Sequence, residues 1–113
     1  MIPVAMKAAD SAGREGIEAE VIDLRTLAPM DKETFLASVK KTGRVLVVQE
    51  APKTCGLAAE IAALINESAL LNLEAPVMRV TGFDITIPLP RTEDYYYISP
   101  ERVFAGMKKL MEF

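Results

Sequence analysis

Between Arg44 and Gln49 lies an unbroken apolar run, Val45-Leu46-Val47-Val48. Side chains of a β-strand alternate between its two faces, so such a run loads both faces with apolar groups. That strand suits a sheet covered on both sides, as parallel sheets are when helices clothe them. The run therefore restricts the chain to layered α/β architectures.

The remaining pattern is consistent with this. Ile2 to about Arg14 reads as helix, with Val4, Ala5, Ala8, Ala9 and Ala12 on one stripe and Gly13 and Gly16 as terminators. Ala19-Glu20-Val21-Ile22-Asp23-Leu24 reads as a short strand. Pro29 breaks the chain, and Asp31 can N-cap a helix through Val39 and Lys41. Met30 and Phe35 occupy hydrophobic-staple positions, Lys40 and Lys41 suit the C-terminal dipole, and Gly43 supplies the stop. A helix is predicted from about Leu57 to Leu71, with Leu57, Ile61, Leu64, Ile65 and Ser68 marking its buried face. Pro76 opens a strand, Val77-Met78-Arg79-Val80-Thr81, and a Pro-rich segment runs from Gly82 to Ile98. Ser99 N-caps a last helix with Pro100 at N1 and Val103, Phe104, Met107 and Leu110 on one side. Strands alternating with helices imply crossovers, a mainly parallel sheet and a three-layer α/β/α fold.

With 113 residues, 50% of them hydrophobic, the chain is one domain long and can form a real core. The formal charge of −3 offers no basic surface for nucleic acid. No apolar run reaches the roughly 18 residues of a membrane span, and the first residues lack a signal-peptide pattern. The chain has no His, which excludes Ser-His-Asp and Cys-His catalysis and imidazole metal ligation. A single Cys permits no internal disulfide and suggests a reduced, cytoplasmic protein. Gly13 and Gly16 lack phosphate-loop spacing and precede the predicted strand rather than follow one.

Several residues admit two readings. Asp23 and Arg25, at a strand's carboxyl end, could line a ligand site or simply fix the turn, and the turn is favoured. Thr54 could cap the following helix or help bind an anion at its N-terminus, with capping and subunit contact favoured. Cys55, near a helix N-terminus, could serve a redox or nucleophilic role, yet no second Cys or His accompanies it and the role is disfavoured. Tyr95-Tyr96-Tyr97 could stack on bases, but Glu93 and Asp94 favour packing or a subunit interface. Met107 and Met111 read as core filler.

Four stretches become specific when taken in order. They are Ala19-Glu20-Val21-Ile22-Asp23-Leu24-Arg25-Thr26-Leu27, Lys41-Thr42-Gly43-Arg44-Val45, Glu50-Ala51-Pro52-Lys53-Thr54 and Leu73-Glu74-Ala75-Pro76-Val77-Met78-Arg79-Val80-Thr81-Gly82. Together with the ending Met107 to Phe113, they resemble the C-terminal domain of the E1 β subunit of thiamine-diphosphate-dependent 2-oxoacid dehydrogenases. Asn72 to Pro76 is most similar to the branched-chain type, with pyruvate and acetoin types close. The resemblance implies a transketolase C-terminal-like fold over residues 1–113 as a single domain. The parent enzyme would decarboxylate a 2-oxoacid oxidatively, using thiamine diphosphate and Mg²⁺, and pass the acyl group to lipoamide of E2. No catalytic, cofactor or metal residue is implied in this chain. Its implied partners are the E1 α subunit, a second β subunit and the peripheral subunit-binding domain of E2. Glu74, before Ala75-Pro76, and the terminal carboxylate of Phe113 match the positions that face that basic domain.

Two features depart from the family. Cys55 stands where relatives usually carry the first of two glycines, so a positive φ there would be costly. Met1 falls where relatives have an internal Met. The resemblance therefore implies a chain lacking the pyrimidine-binding domain and the first strands, one of them central to the sheet. Such a chain is expected to be oligomeric, aggregation-prone or only marginally stable, because unpaired edges recruit other chains. The other readings are a stand-alone small-molecule-binding α/β domain and an inactive structural remnant.

Overall fold

In the computed structural model, which describes residues 1–88 and 91–113, the elements in chain order are as follows. They are α1 (Ile2–Arg14), α2 (Lys32–Thr42), β1 (Leu46–Pro52), α3 (Leu57–Ala69), a 3-10 turn (Leu70–Asn72), β2 (Met78–Gly82), α4 (Glu93–Tyr96) and α5 (Pro100–Leu110). β1 and β2 pair in parallel, from Leu46 opposite Met78 to Gln49 opposite Thr81. An irregularity then brings Pro52 opposite Gly82.

The apolar run does load two faces. Val45 and Val47, with Val77, pack onto Phe35, Val39, Ile61, Ile65 and Ala69 of α2 and α3. Leu46 and Val48, with Val80, pack onto Ala8, Ile98 and Val103 on the other side, where α1 meets α5. The result is a three-layer α/β/α domain with a small parallel sheet in the middle. Residues Arg44 to Gln49 are all half-buried rather than buried. Two strands make a narrow sheet, and among the described residues nothing pairs with β1 on the edge away from β2.

Local signals act as expected at most helix ends. Asp31 accepts from the Thr34 backbone N–H at 3.1 Å, and Met30 packs on the same cluster as Phe35. Gly43 ends α2 with φ of 68°, its N–H bonded to the Val39 carbonyl at 2.9 Å. Ser99 Oγ accepts from the Arg102 N–H at 3.3 Å, with Pro100 behind it. After α1 the Ile17 N–H reaches the Ala12 carbonyl at 2.9 Å and the Gly16 N–H the Gly13 carbonyl at 3.1 Å. This is a Schellman pattern closed by Gly16 at φ of 82°, so Gly16 is the terminator and Gly13 lies inside the helix.

Four expectations are corrected. Ala19–Leu24 is not a strand: its backbone has no strand neighbour among the described residues. It is fastened instead by its side chains. Glu20 pairs with Lys41 and Ser38 on α2, and Leu24 packs on the α2–α3 cluster. The buried face of α3 is Ala58, Ile61, Ile65 and Ala69, whereas Leu57 and Ser68 are exposed. Small residues let α3 approach β1 closely, and hydropathy alone rates them below Leu. α3 also stops at Ala69 and tightens into the 3-10 turn. Met107 does fill the core beside Val103, but Met111 is exposed.

The Pro-rich segment contains α4, and Leu89 and Pro90 lie outside the described residues. Of its three tyrosines only Tyr96 is buried. A Cβ on Gly82 would sit 2.6 Å from the Tyr96 hydroxyl oxygen, so the bare Gly82 lets the segment fold back onto the end of β2. Among the described residues no helix is long and apolar enough to cross a membrane.

Ile65 is 1% exposed and sits between α2 and β1. Ile65→Ala should lower the unfolding free energy by about 2–5 kcal/mol, because a cavity is left in a packed cluster. Urea denaturation measures this, and a loss under about 1 kcal/mol would mean that the site collapses freely.

Candidate functional site

The edge of the sheet where the strands begin carries the first candidate site. Here the turn after α2 meets the entry to β2. The Glu74 N–H donates to the Gly43 carbonyl at 2.8 Å. The Glu74 carboxylate forms an ion pair with Arg44 through Oε2 and Nη1. A Cβ on Gly43 would lie 2.8 Å from Glu74 Cγ. Gly43 is thus required twice, for its left-handed φ and for the space that Glu74 occupies. The Glu74 side chain stays 61% exposed while Arg44 is 26% exposed. Beside it runs an open groove, lined by Ala62, Ala63 and Asn66 of α3 with Leu70, Leu73 and Val77.

Phe113 lies exposed at the end of the chain beyond α5. Arg102, near the start of α5, donates through Nη2 to the Thr81 carbonyl at 2.8 Å, late in β2. Gly106 rests against Val80 and Leu46, earlier in the strands. α5 therefore runs antiparallel to the strands, and its C-terminal end descends toward the edge that holds Glu74. Glu74 precedes β2, and Phe113 follows α5, which packs on the face of the sheet away from α2 and α3.

The opposite edge holds the β1–α3 loop. Thr54 does not cap α3; its N–H and Oγ1 bind the two Asp84 oxygens at 2.8 and 2.7 Å. The N-cap residue is Gly56, which has no side chain to offer. Gln49 replaces it from within β1. Its Oε1 accepts from the Ala58 N–H at 2.7 Å, and its Nε2 donates to the Pro52 carbonyl at 2.7 Å. A Cβ on Gly56 would collide with that amide. Sequence reasoning missed Gln49, whose only signal is a polar residue ending an apolar strand. Cys55 has φ of 56°, so the costly conformation anticipated for it is the one adopted. It is exposed and makes no disulfide.

Asp84 is the electrostatic latch of this loop. Hydrogen bonds from the Thr54 backbone N–H, then from its hydroxyl, hold the Asp84 carboxyl below the ordinary 3.8. Asp23 and Arg25 form a local exposed pair. The Arg25 N–H donates to Asp23 Oδ1 at 3.1 Å and Arg25 Nε lies 3.1 Å from Oδ2, which is the turn-fixing arrangement. Among the described residues no three Asp, Glu or Cys side chains converge as metal ligands do.

A family model described as transketolase, C-terminal domain, matches residues 1–103. The chain is 52% identical over 104 residues to the pyruvate dehydrogenase E1 component subunit beta of Acholeplasma laidlawii, covering 92% of this chain and 32% of that protein. It is 46% identical over 113 residues to the subunit of the same name in Bacillus subtilis, covering 100% and 35%. It is 48% identical over 113 residues to the 2-oxoisovalerate dehydrogenase subunit beta of Pseudomonas aeruginosa, covering 99% and 31%. Among solved structures it superposes with a TM-score of 0.81 and 27% identity on a chain described as split gene transketolase, inactive beta4 tetramer, covering 97% of this chain and 35% of that one. The chain spans about a third of the length of the relatives it matches.

Replacing Cys55 by Gly should stabilise the chain by about 1 kcal/mol, since a left-handed φ penalises a side chain. A lower urea midpoint for Cys55→Gly would show instead that the thiol makes compensating contacts. The Asp84 latch has a defined pH sign. A carboxyl whose folded pKa is depressed stabilises above its unfolded pKa and loses that contribution as pH falls through the folded value. Asp84→Asn should therefore be less stable than the parent at pH 7, with the gap closing below the ordinary 3.8. Thermal melts at both pH values measure it, and a gap that widens in acid would contradict the latch.

Proposed function

This chain belongs to the transketolase C-terminal domain family, and on that premise we propose that it is the C-terminal domain of a 2-oxoacid dehydrogenase E1 β subunit. In this reading residues 1–113 work as one domain of a cytoplasmic multienzyme complex. The complex decarboxylates a 2-oxoacid with thiamine diphosphate and Mg²⁺ and hands the acyl group to lipoamide on E2. The segment Asn72 to Pro76 supports a branched-chain substrate, and relatives of pyruvate and 2-oxoisovalerate type stand at similar identity. The chain itself serves assembly and docking. It contacts the α subunit and a second β subunit, and it presents Glu74 and the Phe113 carboxylate to the subunit-binding domain of E2. In this reading no residue of this chain is assigned to cofactor or metal.

The observation that carries the docking role is Glu74. Its carboxylate is fixed at the sheet's edge yet mostly open to solvent. A carboxylate displayed in a set orientation suits a basic partner.

In the assembled E1 enzyme, Glu74→Lys should weaken binding of the isolated E2 subunit-binding domain by at least about tenfold, equivalent to 1.4 kcal/mol. A short extension after Phe113, which moves the terminal carboxylate, should weaken it in the same direction. Added salt should narrow both differences. Surface binding or calorimetry measures these affinities, and equal affinity for all three proteins would remove the docking role. The 113-residue chain alone should show no saturable binding of thiamine diphosphate with Mg²⁺ by calorimetry. One-to-one binding would overturn the non-catalytic assignment.

A further inference from the structure

Glu74 is held more firmly than an exposed carboxylate needs to be. Its backbone N–H is bonded to the Gly43 carbonyl. Its stem fills the space where Gly43 lacks a Cβ. One carboxylate oxygen, Oε2, is taken by Arg44, and Oε1 has no partner among the described residues. Arg44 is the more covered member of the pair, and its Nε is buried without an acceptor. It approaches from the side of β1, where its residue leads into Val45 and the packed face of the sheet.

We propose that Arg44 is the positioning residue of this docking site: it fixes the Glu74 carboxylate so that Oε1 is presented, already oriented, to a cationic side chain of the partner. The inference rests on the docking reading of Glu74 given above. A free Glu side chain has several rotamers, and binding would have to freeze one of them. With Arg44 in place that ordering is done in the unbound protein. Arg44 also opposes an incoming cation, being of like charge. That repulsion acts at the exposed surface, where water and salt weaken it beyond contact distance. The orienting bond is made in direct contact, where the attraction is strongest, so orientation outweighs repulsion. The arrangement also predicts which atom matters at each residue. A Lys at position 44 keeps the charge but loses the rigid planar fork, so it should orient Glu74 less well.

The test uses the assembled E1 enzyme, with the isolated E2 subunit-binding domain as the probe in calorimetry. Four variants are compared with the parent: Arg44→Met, Arg44→Lys, Glu74→Gln and the double variant Arg44→Met with Glu74→Gln. Melting temperatures verify folding, and Arg44→Lys keeps the test open should Arg44→Met fail to fold. Arg44→Met is expected to weaken binding by about three- to tenfold, the scale of ordering one long side chain. Arg44→Lys should fall between Arg44→Met and the parent. The double variant should bind no worse than Glu74→Gln alone, because Arg44 has nothing left to position. A merely structural Arg44 would weaken binding equally with or without Glu74, and that result would overturn the proposal. Unchanged or tighter binding by Arg44→Met, with Glu74→Gln still weakened, would also overturn it: Arg44 would then be a bystander or a competitor while the docking site stands. An unaffected Glu74→Gln would instead overturn the docking reading on which the proposal rests.

Discussion

The parallel pairing of Leu46–Gln49 with Met78–Thr81 is the constraint on which the rest of the structure depends. A parallel pair needs a long crossover, and α3 provides it. Once the pair exists, alternation sends Val45 and Val47 to one face and Leu46 and Val48 to the other. Each face then requires a helical layer, and α2 with α3 and α1 with α5 supply them. Close approach is achieved with small residues. Ala58 and Ala69 face the sheet on one side, and Gly106 on the other would place a Cβ 2.7 Å from Val80 Cγ2.

The same pairing divides the molecule into two ends. Where the strands begin, the end of α2 and the approach to β2 come side by side, which brings Gly43 and Arg44 against Glu74. Exposed ion pairs add little to stability. The Arg44–Glu74 contact is therefore better understood as setting a side chain than as holding the fold. Where the strands end, the β1–α3 loop is secured by Gln49 from within the strand and by Asp84 from beyond β2. That double hold explains how the loop tolerates Cys55 in a left-handed conformation.

The chain belongs to the transketolase C-terminal domain family. The strand-start edge displays the Glu74 carboxylate. The narrow sheet leaves one side of β1 without a neighbour among the described residues, and the Ala19–Leu24 segment is tied to α2 rather than to a strand. An open strand edge is a place where other chains can pair.

What the sequence determined by itself was local or periodic. Asp31, Gly43, Ser99 and Pro100 mark helix ends because capping acts over three or four residues. The apolar run announced a sheet covered on both faces, and four ordered stretches identified the family. The cost of Cys55 was also legible, since a missing glycine is a statement about φ. Only the tertiary structure decided the rest. It showed that Ala19–Leu24 has the composition of a strand without a strand partner among the described residues to make it one. It gave the capping of α3 to Gln49, nine residues before Ala58, and took Thr54 away to Asp84, thirty residues on. It joined Arg44 to Glu74 across the same separation of thirty residues. Polar contacts of this kind depend on where the layers place distant backbone, and no period or propensity along the chain encodes that placement.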